Sequence, residues 1–146
     1  MKYQCKVWPG SSQPAFPKET FRWAAVINVK LTHRHSPPTK FIEAWVDTGA
    51  HCCMFHASFC KSLGIKLEDG IKSDLGGVIG GTSRPMYFHK TKILIGSSQI
   101  ETMVGFCDFL SVGGRLGRRG FFDSFIFNLN GTGQLPHFDI EKINRA

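Results

Sequence analysis

The chain has 146 residues, 42% of them hydrophobic and 20% charged, with a formal net charge of +7. That is enough for one ordinary core but not two, and too apolar for a disordered chain. No apolar run approaches the roughly 20 residues of a membrane helix, and the opening MKYQCKVWPG lacks the apolar stretch of a secretory leader, so a cytoplasmic or equivalent reducing location and no membrane partner are expected.

The 13 Phe and 16 Gly combine many aromatics with many turn formers, which favours β structure. The five cysteines (Cys5, Cys52, Cys53, Cys60 and Cys107) are odd in number and include an adjacent pair, which argues for buried free thiols rather than a disulfide framework. The positive charge is scattered apart from a cluster at Arg115, Arg118 and Arg119. A solvated surface explains it better than a nucleic-acid footprint.

Residues 1–20 carry Pro9, Pro14 and Pro17 with Gly10, Ser11 and Ser12, and read as an extended arm ahead of a domain over 21–146. From Phe21 to Leu31 alternate residues are apolar, as in one strand with Phe21, Trp23, Ala25, Ile27, Val29 and Leu31 on one face. After the loop THRHSPPTK, Phe41 to Val46 is apolar on both faces except at Glu43, as a central strand is. HASFCKSLGI suits two helical turns stopped by Gly64. DLGGVIGGTSRP sets four glycines around two apolar residues and reads as a mobile hairpin. Met86 to Ile95 and Ile100 to Phe106 alternate around the turn GSSQ, and FIFNLN with QLPHFDI makes a last hairpin. The sum is an all-β domain with one or two short helices.

Asp47, Thr48 and Gly49 follow a buried strand directly, and D-T-G occurs once. The plain reading is a turn with an Asx-type bond. The context adds more. A glycine-rich hairpin lies roughly 30 residues downstream, and the segment LGRRGFF roughly 70 downstream. In this order the chain resembles the retropepsin family, the retroviral-type aspartic proteases and their bacterial relatives. Asp47 to Ala50 matches the family's D-T-G-A, GGVIGG (Gly76 to Gly81) its flap with one extra residue, and LGRRGFFD (Leu116 to Asp123) the segment where the family has a short helix. The resemblance covers about residues 21 to 130.

The resemblance implies a closed β barrel or sandwich with a flap hairpin, and a homodimeric endopeptidase. Two carboxylates sharing one proton activate a water, and a chain with one D-T-G supplies one of them. Asp47 would then be catalytic, with Thr48 bonding across the two-fold axis and Gly49 orienting the acid. Ala50 and the flap residues Gly77, Val78, Ile79, Gly80 and Gly81 would contact a peptide substrate, and Leu116, Gly117 and Arg118 would support the site. The cleft would be apolar, suited to large apolar side chains at the scissile bond.

Two positions depart from the family. His51 stands where an acid often pairs with the arginine at Arg118, so Arg118 is expected to find Asp123 or Asp108 instead. Arg115 stands where the first of two apolar residues precedes Gly117, leaving the register there open. The cluster of His51, Cys52, Cys53, His56 and Cys60 has one zinc-like spacing, His56 with Cys60, but no C-x-x-C, and core cysteines are the better reading. Neither metal nor cofactor is expected. The competing function is a dimeric binding or scaffold module of the same fold without catalysis, with RNA among its partners.

Overall fold

The computed structural model describes residues 1–10, 13–75, 84–132 and 135–144. Among the described residues there are twelve strands: β1 (Lys2–Gln4), β2 (Lys6–Pro9), β3 (Phe21–Ala24), β4 (Val26–Thr32), β5 (Ile42–Val46), β6 (Met54–His56), β7 (Ile71–Leu75), β8 (Arg84–Ile95), β9 (Ser98–Cys107), β10 (Gly114–Leu116), β11 (Phe125–Asn130) and β12 (His137–Lys142). Helical structure among the described residues is limited to two 3₁₀ turns, Ala57–Cys60 and Leu67–Asp69.

Six of the strands close into a barrel in the order β4-β5-β10-β6-β9-β8, with β8 returning to β4. Closure removes the sheet edges that a flat sheet of this size would leave. It is possible because β8 is 12 residues long. Its later half pairs with β4, Lys30 opposite Leu94, and its earlier half with β7, Ile71 opposite Phe88. The β8–β9 hairpin turns on Gly96 and Ser97, with Ile95 opposite Ser98 and Gly96 at φ 55°, a conformation glycine adopts without steric cost.

Alternation fills the barrel. Ile27, Val29 and Leu31 of β4, Ala44 of β5, Phe55 of β6, Ile93 and Ile95 of β8, Val104 and Phe106 of β9 and Leu116 of β10 are all fully buried. Each large aliphatic or aromatic side chain among them contributes about 1.5–3 kcal/mol by leaving water. A second sheet, β1-β12-β11, lays Phe125, Phe138 and Ile140 against this core.

The alternating run from Phe21 to Leu31 keeps its phase but forms two strands. Phe21 and Trp23 stay largely exposed in β3, whereas Ile27, Val29 and Leu31 are buried in β4. The strands part because they have different partners, β2 for one and β5 for the other. Between them, the carbonyl of Ala25 accepts from the Val46 N–H at 2.9 Å. Among the described residues of the first 20, only β1 and β2 are strands; Gln13 to Lys18 form turns, and β1 lies along β12 with Cys5 between β1 and β2 buried, so this stretch is not a separate arm. The expected two helical turns after His56 shorten to one 3₁₀ turn, which His56 caps through Ser58 N and which is followed by a turn reaching Gly64 at φ 65°.

All five cysteines are buried and unbridged. Burial pushes the Cys53 and Cys60 thiols up from 9.0 to about 11. A thiol with a raised value in the folded state keeps its proton longer folded than unfolded. Stability is therefore unaffected below pH 9 and falls as pH climbs from about 9 to about 11. The melting temperature is expected to drop steeply across that interval, and less so in a Cys53→Ser, Cys60→Ser double variant, as scanning calorimetry would record.

Candidate active site

β5 carries Ile42 and Ala44 into the core, with Val46 packed against it, and then ends. The next residue, Asp47, anchors its own backbone by donating from N–H to the Leu116 carbonyl at 3.0 Å. Its side chain is 28% exposed. Oδ1 accepts the Gly49 N–H at 2.9 Å, the Asx-type bond the tripeptide suggests. A Cβ on Gly49 would sit 3.2 Å from that oxygen. The Ala50 N–H donates back to the Asp47 carbonyl at 3.2 Å, closing the turn, and Ala50 is buried. Thr48 is exposed at the tip of the turn, and its hydroxyl makes no hydrogen bond among the described residues.

The other carboxylate oxygen is taken by Arg115, whose Nη1 donates to Oδ2 at 2.5 Å. The strand register explains the meeting. β10 runs parallel to β5, with Gly114 opposite Ala44, Arg115 opposite Trp45 and Leu116 opposite Val46. On its other side β10 is antiparallel to β6, with Arg115 opposite Met54. Gly114 and Leu116 face inward, and a Cβ on Gly114 would lie 2.4 Å from the Phe55 ring. Arg115 therefore faces outward beside Trp45 and Met54, and two residues beyond Trp45 on the same face is Asp47. No register shift takes Arg115 out of the apolar slot. The slot itself opens outward.

The segment after β10 lies directly against the Asp47 turn. Arg118 N donates to the Ala50 carbonyl at 2.9 Å and Arg119 N to that of His51 at 2.8 Å. Gly117 makes this possible, since a Cβ there would be 2.2 Å from the Cys52 carbonyl oxygen and 2.8 Å from that of Ala50. From Arg118 to Ser124 the chain is a series of turns, broken by a bridge of Arg119 to Cys52, rather than a helix.

The expected pairing of Arg118 is not found. Its side chain is exposed and makes no ion pair among the described residues; Asp123 is held by Arg119 at 3.7 Å and Asp108 by Arg84 at 3.3 Å. The reason is the turn geometry, which uses the Arg118 backbone for the contact with Ala50 and sends its side chain to solvent. Gly77, Val78, Ile79, Gly80 and Gly81, expected from the sequence to form a flap, lie outside the described residues; β7 and β8 on either side of them are antiparallel, Leu75 opposite Arg84. No cluster of three or more His, Cys, Asp or Glu side chains converges among the described residues. Cys52 and Cys53 are buried thiols raised by desolvation, and His56 is occupied with Ser58 at 2.8 Å.

No protein-family model matches the chain, and no curated protein matches it. Among solved structures it is similar to a retropepsin-like aspartic protease from Rickettsia conorii, with 14% identity over 93% of this chain and 95% of that one and a TM-score of 0.53. The chain has a retropepsin-like fold. Within this retropepsin-like frame Asp47 sits at the end of a barrel strand on a turn locked by Gly49, Leu116 and Gly117. Sequence reasoning singled out all four. It missed the contact between Arg115 and Asp47, and the flanking Trp45 and Met54. The signal was present: a cation in a slot otherwise filled by an aliphatic needs an acceptor, and Asp47 lies two residues from Trp45, the residue opposite Arg115.

Gly117→Ala forces a methyl group into two carbonyl oxygens and is expected to destabilise the fold by about 1–3 kcal/mol, measured by urea denaturation. Arg118→Ala, which removes only an exposed side chain, is expected to change stability by less than about 0.5 kcal/mol.

Proposed function

We propose that the protein is an aspartic endopeptidase that acts as a homodimer, each chain contributing Asp47. The observation that carries this reading is the placement of Asp47. A carboxylate is held rigidly by backbone bonds at the end of a buried strand, on a retropepsin-like fold, with its side chain partly open to solvent. A purely structural role gives little reason for a carboxylate there, where removal from water costs free energy.

One acid does not complete the chemistry. Peptide hydrolysis needs a base to take a proton from water and an acid to give one to the carbonyl oxygen. Two Asp47 carboxylates related by a two-fold axis supply both by sharing one proton. Water oxygen bonds to the carbonyl carbon as its proton passes to one carboxylate and the other carboxyl protonates the carbonyl oxygen. The tetrahedral diol then collapses: one hydroxyl returns its proton to the carboxylate that gave one, the C–N bond breaks, and the nitrogen takes the proton the other carboxyl received from water. The exposed Thr48 hydroxyl, with no partner among the described residues of its own chain, suits a bond to a second copy. The substrate is a peptide or protein. Five unbridged thiols support a reducing, cytoplasmic setting. Among the described residues no helix is long and apolar enough to cross a membrane.

A second reading is favoured by one contact. The Arg115 guanidinium occupies Oδ2 of Asp47, the atom a catalytic water would approach. If that pair never opens, the protein is a non-catalytic binding module of the same fold. Asp47→Asn separates the readings. The endopeptidase reading expects cleavage of a diverse peptide library by the wild type and a loss of at least about 10³-fold in the variant, since the amide is no base. It also expects activity per chain to fall on dilution as sedimentation velocity shows the dimer dissociating. Equal cleavage by variant and wild type, or cleavage by a strict monomer, rules the shared dyad out.

A further inference from the structure

A guanidinium on the reacting carboxylate is an obstacle unless something removes it. We propose that Arg115 is the specificity-determining residue of this site, selecting peptides with Asp or Glu beside the scissile bond, whose carboxylate draws the guanidinium off Asp47. The inference rests on the endopeptidase reading and deepens it by naming the substrate class.

Reach comes first. Arg115 Nη1 lies 2.5 Å from Oδ2, so any peptide carbonyl poised over Asp47 brings its neighbouring side chains within range of the guanidinium. The Arg115 side chain is 35% exposed, open to a ligand from the solvent side. Chemistry comes second. A guanidinium presents five N–H donors in a planar fork that matches a carboxylate two bonds at a time. Among the described residues its one acceptor is a single oxygen of Asp47. The remaining donors can engage a second carboxylate before the first contact is released, so the exchange passes through a bridged arrangement and never leaves Arg115 unpaired.

Charge decides between substrates. A bound peptide excludes water from the pair. With a neutral side chain at this position, either Arg115 stays on Asp47 and keeps Oδ2 blocked, or it leaves and is desolvated without a partner, which is strongly unfavourable. With an acidic side chain the guanidinium has a partner throughout, and Asp47 is released for the water. The flanking surface is consistent with a mixed substrate. Trp45 and Met54 are opposite Arg115 in register, and Trp8 packs on Trp45 at 5.6 Å between ring centroids. This surface thus sets apolar side chains beside the Arg115–Asp47 pair, with the Lys6–Glu43 ion pair on the same face of β5.

The test is a set of peptides identical except for Asp, Glu, Asn, Gln or Leu on either side of the cleaved bond, with cleavage followed by mass spectrometry. Wild type is expected to favour Asp and Glu over their amides by about tenfold or more in kcat/KM, as a site built around a charged hydrogen bond does. Arg115→Leu and Arg115→Gln are expected to lose that preference and to cleave the Leu peptide faster than wild type, while Arg115→Lys retains part of the preference. Circular dichroism and melting curves establish that each variant is folded. Cleavage without an acidic preference, or a preference unchanged in Arg115→Leu and Arg115→Gln, overturns the inference and leaves the endopeptidase reading standing. An inactive wild type with an active Arg115→Leu makes Arg115 a block rather than a selector, and also overturns it. If neither wild type nor any folded Arg115 variant cleaves any peptide, the endopeptidase reading falls and the inference falls with it.

Discussion

The close approach of two turns, one after β5 and one after β10, is the constraint on which the rest of the molecule depends. Their backbones touch through Asp47 N to Leu116 O, Arg118 N to Ala50 O and Arg119 N to His51 O. Only a residue without a side chain fits at Gly117, where the carbonyl of Cys52 would collide with a Cβ. Such a contact leaves no room for adjustment, because both partners are main chain. It fixes the parallel register of β5 and β10, which in turn fixes which side chains of β10 face inward and which face Asp47. The site is therefore as rigid as the barrel that carries it.

Rigidity gives the Arg115–Asp47 pair its meaning. On a flexible surface an ion pair of two long side chains contributes little, because ordering them offsets the attraction. Here Asp47 is already fixed by Gly49 on one oxygen, so only Arg115 loses freedom when the pair forms. A partly buried carboxylate at the end of a barrel strand is thereby neutralised within its own chain. In the proposed homodimer, the charge that two such acids would concentrate at a two-fold axis would be balanced by Arg115 within each chain.

Much of this was legible in the sequence, for local reasons. Asp47-Thr48-Gly49 at the end of an apolar run announces a constrained acid, and the turn bond to Oδ1 follows from Asx geometry. The alternation of Met86 to Ile95 and Ile100 to Phe106 determines the central hairpin, since period-two patterning and an intervening Gly are sufficient for it. What the sequence concealed was set by partners distant in the chain. Nothing near Ala25 signals that the run from Phe21 to Leu31 must divide between β2 and β5. Arg118 was expected to be paired because the family places an acid near it, yet its backbone, not its side chain, is what the neighbouring turn uses. Arg115 was visible as an oddity, but its acceptor emerges only once β10 is laid parallel to β5, a pairing between segments almost 70 residues apart.

The short strand β1 pairs Lys2 with Asp139 and Gln4 with His137. The barrel's own hairpins form across turns of a few residues, on the scale of microseconds. The β1–β12 pairing must close a loop containing nearly the whole chain, and pairings of that separation slow folding because their entropy is lost before their contacts are gained. During synthesis β1 is also made before its partner β12 by nearly the length of this chain. For the time between, Tyr3 and Cys5 have no Phe138 or Pro136 to cover them. The pairing of β1 with β12 is therefore expected to form late, with β1 left unpaired until the β11–β12 hairpin has been made.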